Sequence, residues 1–308
     1  LTLLDCVVEN NHSPSSGGGV GNRDSGTLFV IDSVIRANST AFSGGGLGLG
    51  GTATISYSSI SGNVATGSGG GAFLGQGGTA LVRASTIDAN VANNGGGIHV
   101  DRDILNPGVN AQLTVVNSTL SGNFAYTNGG GINNESTTFL YNSSVVDNDA
   151  DHDRDEIGGV GGGVDTASGV RFVAVNSLIA RNTVLDAPIY NDCRGLLELY
   201  GRNLFFNVVG CTFGGNGDAA RGFIALNSIG TLQDNGGTTR SHALLPGSAA
   251  INATTTQGCV DQTGVALGVD QRSGLRGAGA ACDIGAFEFG AAPSVVDPLF
   301  RSGFEGGP

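Results

Sequence analysis

The sequence predicts an all-β fold, a right-handed single-stranded parallel β-helix with about three short strands in each coil. Three observations predict it: a seven-residue phrase that recurs along the chain, a glycine triplet at a fixed distance after most copies, and apolar residues at fixed places between them. Self-similarity of this kind is typical of solenoids, in which each coil contacts only its neighbours.

The recurring phrase consists of a small or polar residue, Ser (once Cys), any residue, an aliphatic residue, two variable residues and Asn. Its seven copies are separated by 27, 25, 27, 33, 25 and 34 residues, and they end at Asn11, Asn38, Asn63, Asn90, Asn123, Asn148 and Asn182. Asn is a poor strand residue, so its return at one place in every coil indicates a structural role. We predict a ladder of side-chain amides that bond one another and the backbone of a turn.

Glycine triplets mark a second corner of the coil. There are six, and five of them begin 5 or 6 residues after a closing Asn, at residues 17–19, 44–46, 69–71, 95–97, 129–131 and 161–163. Apolar residues stand after each triplet, two places before each Ser, and inside each phrase. Because side chains alternate along a strand, three such columns predict three inward-facing strands per coil, and right-handed winding is the default for parallel crossovers.

The regular period predicts the domain organisation. We expect β-helix repeats over residues 1–182, terminal coils and an irregular disulfide-stapled cap over residues 183–290, and a flexible tail over residues 291–308. The first four residues already occupy the strand that precedes the first phrase, so we expect a mature or trimmed fragment that begins inside a coil. Within the cap, Arg272, Asp283 and Glu288 are predicted to pair and to serve the structure.

Four cysteines lie in the less regular C-terminal part. Cys193 and Cys211 are 18 residues apart, and Cys259 and Cys282 are 23 apart. Without a close Cys-x-x-Cys pair, disulfides are favoured over metal ligation, and each would contribute about 3 kcal/mol in the chain-entropy model. Cys6 stands in the Ser column and is predicted to be unpaired and buried. Disulfides favour an exported, secreted or cell-surface protein.

Charge and hydropathy limit the partners. The net charge of −12 would repel a phosphate backbone, so nucleic acid is not an expected partner, whereas cationic sugars or divalent cations are compatible with it. No apolar run of about 18 residues is present, so no transmembrane helix is predicted. No cofactor is required by this pattern.

Two coils carry long inserts, which on a solenoid become surface loops. The first insert includes Asp101, Arg102 and Asp103, and the second runs from residue 149 to 156. Carboxylates alternate in the second insert, as hard oxygen ligands do in calcium-binding loops, at Asp149, Asp151, Asp153 and Asp155. We consider a weak Ca²⁺ site and a solvated acidic loop as the two alternatives.

A candidate ligand face follows from register alone. The outward residues of the strand after each triplet are Gly21, Gly48, Phe73, His99, Asn133 and Asp165, so neighbouring members should lie about 5 Å apart. An aromatic ring beside an imidazole, an amide and a carboxylate suits a saccharide chain, with Asp101, Arg102 and Asp103 overhanging it. The other histidines, His12, His152 and His242, are predicted to be surface residues.

Catalysis on this face is an alternative to binding. A polysaccharide lyase needs a base near the C5 proton of a uronic acid and a cation for its carboxylate, roles that His99 or Arg102 and the acidic insert could fill. A glycoside hydrolase needs two carboxylates, for which Asp165 with Asp101 or Asp103 is conceivable. His99, Arg102 and Asp165 are thus the candidate catalytic residues.

The C-terminal part carries an ordered series of motifs: Thr231 to Thr238, His242 to Asn252, Asp270-Gln271-Arg272 and Cys282 to Glu288. This series resembles the ending of bacterial choice-of-anchor Q domain proteins, whose upstream repeats resemble polymorphic outer-membrane (Pmp-like) β-helix proteins. The resemblance implies a right-handed parallel β-helix, export, and attachment to or release from a cell surface. It implies no reaction.

The leading hypothesis is therefore an exported surface or matrix β-helix protein that binds an extended ligand, a polysaccharide or cell-surface glycan, or that mediates adhesion. A carbohydrate-active enzyme acting near His99, lyase before hydrolase, is the alternative. A passive structural stalk is the second alternative.

Overall fold

The structure is a computed structural model, and it describes residues 1–23, 25–75, 77–102, 108–151, 159–184, 189–255 and 258–294. The described chain winds into stacked coils whose strands pair in parallel from coil to coil, which confirms the predicted parallel β-helix. Among these residues the only helical segments are two short 3₁₀ turns, Gly217–Ala220 and Leu226–Ser228. No described helix is long and apolar enough to cross a lipid bilayer.

Each of the first six coils contributes four strands instead of the predicted three. Sheet I contains the long strands that precede each Ser phrase: Thr2–Leu4, Thr27–Ile31, Thr52–Ser56, Thr79–Arg83, Gln112–Val116, Thr137–Tyr141 and Arg171–Val175. Sheet II contains the strands of the seven phrases and then two further strands: Val7–Glu9, Val34–Arg36, Ser59–Ser61, Thr86–Asp88, Thr119–Ser121, Ser144–Val146, Leu178–Ala180, and beyond the phrases Asn203–Phe205 and Arg221–Phe223.

The fourth strand arises because the two residues after each closing Asn also pair between coils. They form sheet III: His12–Ser13, Ser39–Thr40, Val64–Ala65, Val91–Ala92, Phe124–Ala125, Asp149–Ala150, Thr183–Val184 and, antiparallel to the last, Ile189–Tyr190. Sheet IV follows the glycine triplets: Val20–Asn22, Leu47–Leu49, Ala72–Leu74, Ile98–Val100, Ile132–Asn134 and Val164–Thr166.

The core lies between the sheets and consists of the predicted apolar columns. Ile35, Ile60 and Ile87 of sheet II are fully buried and stack in register. Leu47 and Ile98 of sheet IV are likewise fully buried. Each coil thus adds about one aliphatic side chain per strand to a continuous core, whose stability comes from burial of apolar surface.

The asparagine ladder is present as predicted. In its interior, the Nδ2 of Asn90 donates to the Oδ1 of Asn123 at 3.0 Å, and the backbone N–H of Asn90 donates to the same oxygen at 3.1 Å. The second proton of Asn90 Nδ2 goes to the carbonyl of Ile60 at 2.9 Å. The ladder runs with this pattern from Asn11 to Asn182, and its members from Asn38 onward are fully buried.

Asp192 ends the ladder, which the sequence reading did not foresee. Its Oδ1 accepts the backbone N–H and the Nδ2 of Asn182, both at 3.1 Å. Its Oδ2 accepts the backbone N–H groups of Phe206 and Asn207, both at 2.7 Å. A carboxylate fits this place because the last member must accept from four donors and has no further amide to which it could donate.

Burial raises the pKa of Asp192 to about 6, although the hydrogen bonds from its four N–H donors act to lower it. A raised pKa means that this group favours folding below its unfolded value of about 4 and that the contribution is lost as the pH rises through about 6. We therefore expect the carboxyl ¹³C resonance of Asp192 to titrate with a midpoint near pH 6 in the folded protein. A midpoint below pH 4 would show that the four donors outweigh burial.

Beyond the repeats, Cys193–Tyr200 joins sheet IV to sheet I, because its first residues pair with Val164 and Asp165 and its last with Val173–Val175. Cys211–Gly215 pairs alongside it. The predicted Cys193–Cys211 and Cys259–Cys282 disulfides are both formed, with Cα atoms 5.3 and 6.1 Å apart. Cys6 is unpaired as predicted, but it is half-buried and not fully buried.

The described residues between 226 and 294, which we term the strap, run back along the outer side of sheet II over four coils. The N–H of Ala286 donates to the hydroxyl of Ser144, and the side chain of Gln271 reaches Thr86 and Thr119. Apolar residues of both parts form a second core: Val146, Leu178, Ala180, Leu204, Ile224, Ile229, Leu244, Ala250, Ile284 and Phe287.

Charged residues inside the strap pair differently from the prediction. Arg272 binds the carboxylate of Asp270 through Nε and Nη2, at 3.0 and 2.7 Å, and its guanidinium lies 3.6 Å from the ring centroid of Phe287. The Oε2 of Glu288 lies 3.5 Å from the Nη1 of Arg276. Asp283 instead accepts the backbone N–H groups of Asn252 and Phe289, and burial raises its pKa. The structural role predicted for these residues agrees with these contacts.

His242 is a further correction, because it is buried where the strap packs on sheet II and is not a surface histidine. Its Nδ1 lies 2.8 Å from the carbonyl of Gly230 and its Nε2 lies 2.8 Å from the hydroxyl of Ser121. Burial lowers its pKa. His12 is exposed as predicted, and His152 lies outside the described residues.

Candidate functional site

The outward row of sheet IV forms in the predicted register. Successive Cα partners are Gly21 and Gly48, Gly48 and Phe73, Phe73 and His99, His99 and Asn133, and Asn133 and Asp165. Arg194 pairs with Asp165 and extends the row by one coil. The sequence reading therefore placed these side chains correctly relative to one another.

The middle of the row is a packed unit. The rings of Phe73 and His99 are stacked, with centroids 5.4 Å apart and planes inclined by 4°. On its other side, the Nδ1 of His99 lies 3.0 Å from the Nδ2 of Asn133, which also lies 3.3 Å from the Oε1 of Glu135. His99 and Asn133 are only 4% and 3% exposed, so their side chains form the buried floor of this face.

Asp165 forms an ion pair with Arg194. Its two carboxylate oxygens accept from the Nε and Nη2 of Arg194 at 2.6 and 2.7 Å, and its side chain is 4% exposed. A bidentate pair of this kind fixes the orientation of the carboxylate. Asp165 is thus placed to anchor the row and not to act as an acid or a nucleophile toward a ligand.

A second outward row lies two residues further along the same strands. Asp101 follows His99 by two places, and Glu135 follows Asn133 by two places. The backbone N–H of Glu135 donates to the carbonyl of Val100, which continues the sheet pairing beyond the strand ends. One ligand atom each from His99, Asp101 and Glu135 lies within 4.8 Å of the others. The sequence reading missed Glu135, although the same period-2 register that gave the first row predicts its place.

Arg102 and Asp103 are the other residues predicted to overhang this face. Arg102 is exposed and its backbone bridges Asn110 across the first insert. Asp103 lies outside the described residues.

A groove opens beside Phe73, at the N-terminal part of the row. It has a volume of about 480 Å³ and is lined by Gly21, Asn22, Arg23, Gly48, Phe73 and Asp101 among others. Phe73 has His99 on one side and Gly48 on the other, so no side chain of the row covers its second ring face. Gly21 has open space where a Cβ would be, with only the carbonyl of Ser16 at 3.6 Å. Gly21 therefore leaves space in the groove, whereas the place of a Cβ on Gly48 is filled by the backbone of Ser16 and Gly17.

The predicted calcium loop is described only in part. Asp149 belongs to sheet III and accepts a hydrogen bond from Thr183 Oγ1 at 2.9 Å. Asp151 is 1% exposed and has a positive φ of 59°. Asp153 and Asp155 lie outside the described residues. The alternation in sequence thus does not place Asp149 in a solvated loop tip.

Another groove, of about 580 Å³, lies on the outer face of sheet I and was not predicted. Phe139, Tyr141 and Tyr200 line it together with the strap loop around Asp261. The guanidinium of Arg171 lies over the ring of Phe139, 5.5 Å from its centroid. Burial raises the pKa of Tyr141. The loop comes from far along the sequence, so no local pattern could have predicted this groove.

Comparison with protein-family models, with curated proteins and with solved structures finds no match for this chain. The fold and the two grooves therefore stand on the structure alone.

Proposed function

We propose that this chain is an exported β-helix protein that binds an extended saccharide in the groove beside Phe73. The single observation that supports the proposal most is the sequence of the outward row, in which two glycines precede an aromatic ring whose far face is held by His99. Two disulfides support export, because such bonds persist in oxidising compartments.

The groove has the parts that a sugar ring requires. The apolar face of a pyranose packs on an aromatic ring, and Phe73 offers a face fixed by the nearly parallel stack with His99. Polar groups at the rim, including Asn22, Arg23 and Asp101, can bond sugar hydroxyls. Stacked coils repeat about every 4.8 Å, so a face built on them suits a ligand that is itself extended.

Binding is favoured over catalysis by the state of the row. Asp165 is held by Arg194, and His99 is packed between Phe73 and Asn133. These residues position one another, whereas an acid or base needs access to the bond that it cleaves. The net charge of −12 favours neutral or amino-sugar chains over uronate chains.

Replacing Phe73 with alanine is expected to weaken binding of amino-sugar oligosaccharides by about tenfold, since loss of a stacking ring costs about 1.5 kcal/mol. Isothermal titration against chitosan, neutral glucan and uronate oligomers measures this loss. Phe29→Ala is the matched control, because Phe29 is a 40% exposed aromatic residue on sheet I and lies outside the groove.

Filling the groove provides a second variant that leaves the row intact. Gly21→Leu introduces a side chain where the backbone leaves space, so the protein should fold while binding is lost. Equal affinity of the wild type, Phe73→Ala and Gly21→Leu for every oligomer would contradict the proposed site. Unsaturated products from uronate oligomers would instead support a lyase.

A further inference from the structure

We propose that His99, Asp101 and Glu135 form a binding site for a divalent metal ion of intermediate hardness, of which Zn²⁺ is the representative. This inference is independent of saccharide binding and of the acidic insert. Imidazole nitrogen with two carboxylate oxygens is a donor set that zinc accepts, and three protein ligands leave a coordination position open.

The geometry fits such an ion closely. Two ligands of a tetrahedral zinc site, each about 2.1 Å from the metal, are about 3.4 Å apart. The Nε2 of His99 lies 3.7 Å from the Oδ1 of Asp101, so a small movement brings both into range. A carboxylate oxygen of Glu135 lies within 4.8 Å of a ring nitrogen of His99 and of a carboxylate oxygen of Asp101, and rotation of its flexible side chain can change these distances.

His99 would supply the nitrogen ligand of the site. Its side chain is 5% exposed, and Nδ1 is engaged by Asn133 while Nε2 is directed toward Asp101. Nε2 lies 3.7 Å from the Oδ1 of Asp101, which is too far for a hydrogen bond. A buried ring nitrogen beside two carboxylates, at too great a distance for a hydrogen bond, leaves room for an ion between them.

Asn133 acts as a positioning residue. Its amide lies 3.0 Å from Nδ1, and the orientation of an Asn amide is assigned from its network. When the amide oxygen faces the ring, Nδ1 carries the proton and donates it to Asn133, and Nε2 then has its lone pair free for the metal. Metal-bound histidines commonly use such a second partner. Glu135, released from its 3.3 Å contact with Asn133, can then turn toward the ion.

The site also adjoins the groove, because Asp101 lines it. A metal ion held here would neutralise two carboxylates at the rim of a strongly acidic protein. Its open coordination position could accept a hydroxyl or carboxylate oxygen of a bound ligand.

The test uses the full chain, freed of metal by chelation, and titrates it with Zn²⁺ alone. We expect about one Zn²⁺ per chain, with binding weakened by about tenfold or more in Glu135→Gln and in His99→Gln. Glu9→Gln is the matched control, because Glu9 is a surface carboxylate that pairs with Arg36 on sheet II. Its affinity should equal that of the wild type.

A spectroscopic readout identifies the ligand directly. The chain has four histidines, so long-range ¹H–¹⁵N spectra can follow each ring. Zn²⁺ should shift the Nε2 resonance of His99 and leave that of the buried His242 in place. Absence of Zn²⁺ binding, or equal binding by wild type, His99→Gln and Glu135→Gln, would overturn the proposal. So would a zinc-dependent shift confined to His12 or His152.

Discussion

Asn123→Ala is expected to lower the free energy of unfolding by about 4 kcal/mol, because it removes one rung from the middle of a buried ladder. The Oδ1 of Asn123 accepts the N–H and the Nδ2 of Asn90, and its Nδ2 donates to the carbonyl of Ile87 and to Asn148. Alanine leaves the two donors of Asn90 and the carbonyl of Ile87 buried without these partners. Each such group costs about 1–3 kcal/mol.

Chemical denaturation of wild type and variant, followed by circular dichroism, measures the change. The matched control is Asn216→Ala, since Asn216 is exposed and its hydrogen bonds to other described residues are made by its backbone. We expect that control to lie within about 0.5 kcal/mol of the wild type. A similar small effect for Asn123→Ala would show that the ladder does not hold the coils together.

The second large effect is expected for Arg272→Ala, which should destabilise the strap by about 3–5 kcal/mol. Asp270 is 1% exposed, and the guanidinium of Arg272 gives its Oδ2 two charge-assisted hydrogen bonds. Without the arginine, the carboxylate stays buried with backbone N–H donors only. Arg272 also donates to the carbonyl of Glu288, so its loss loosens the end of the strap.

Limited proteolysis and hydrogen exchange locate this effect. We expect cleavage within residues 226–294 to accelerate while the amides of the coils far from sheet II stay protected. Arg36→Ala is the control, because the Arg36–Glu9 pair is solvent-exposed and contributes at most about 1 kcal/mol. If Arg272→Ala cost no more than Arg36→Ala, the buried network would not be what fastens the strap.

The coils could be predicted from the local sequence because each coil repeats nearly the same arrangement of asparagine, glycine and apolar residues. The register of Phe73, His99, Asn133 and Asp165 followed from their place after the glycine triplets, since a strand has a period of two and coils stack in parallel. Glu135 was missed, although the same rule applied two residues further along reaches it. The sequence analysis considered one outward residue on each of these strands, and Glu135 is the next outward residue after Asn133.

The strap was not predictable in the same way. Its contacts join residues that are far apart in sequence, such as Ser121 with His242 and Thr86 with Gln271, at separations of 121 and 185 residues. No periodic signal marks such a pair. The buried position of His242 and the aromatic groove beside Tyr141 both depend on this return path, so a reading of local sequence took the first for a surface residue and did not find the second.

The four-stranded coil has a different cause. The strand after each closing Asn is only two residues long, as at Val64 and Ala65. Two residues are too few to show the alternation of inward and outward side chains by which a strand is recognised in a sequence. Their pairing is secured by the asparagine before them, which fixes the corner from which they leave. The ladder therefore specifies a strand that the hydrophobic pattern alone does not reveal.

We propose above that a saccharide occupies the groove beside Phe73. It is tested most directly by mapping backbone amide shifts of the isotope-labelled protein during titration with a binding oligosaccharide. We predict shifts at Gly21, Gly48, Phe73 and Asp101, which line that groove. Shifts confined to Tyr141, Tyr200 and the strap loop around Asp261 would place the ligand in the other groove and contradict the account.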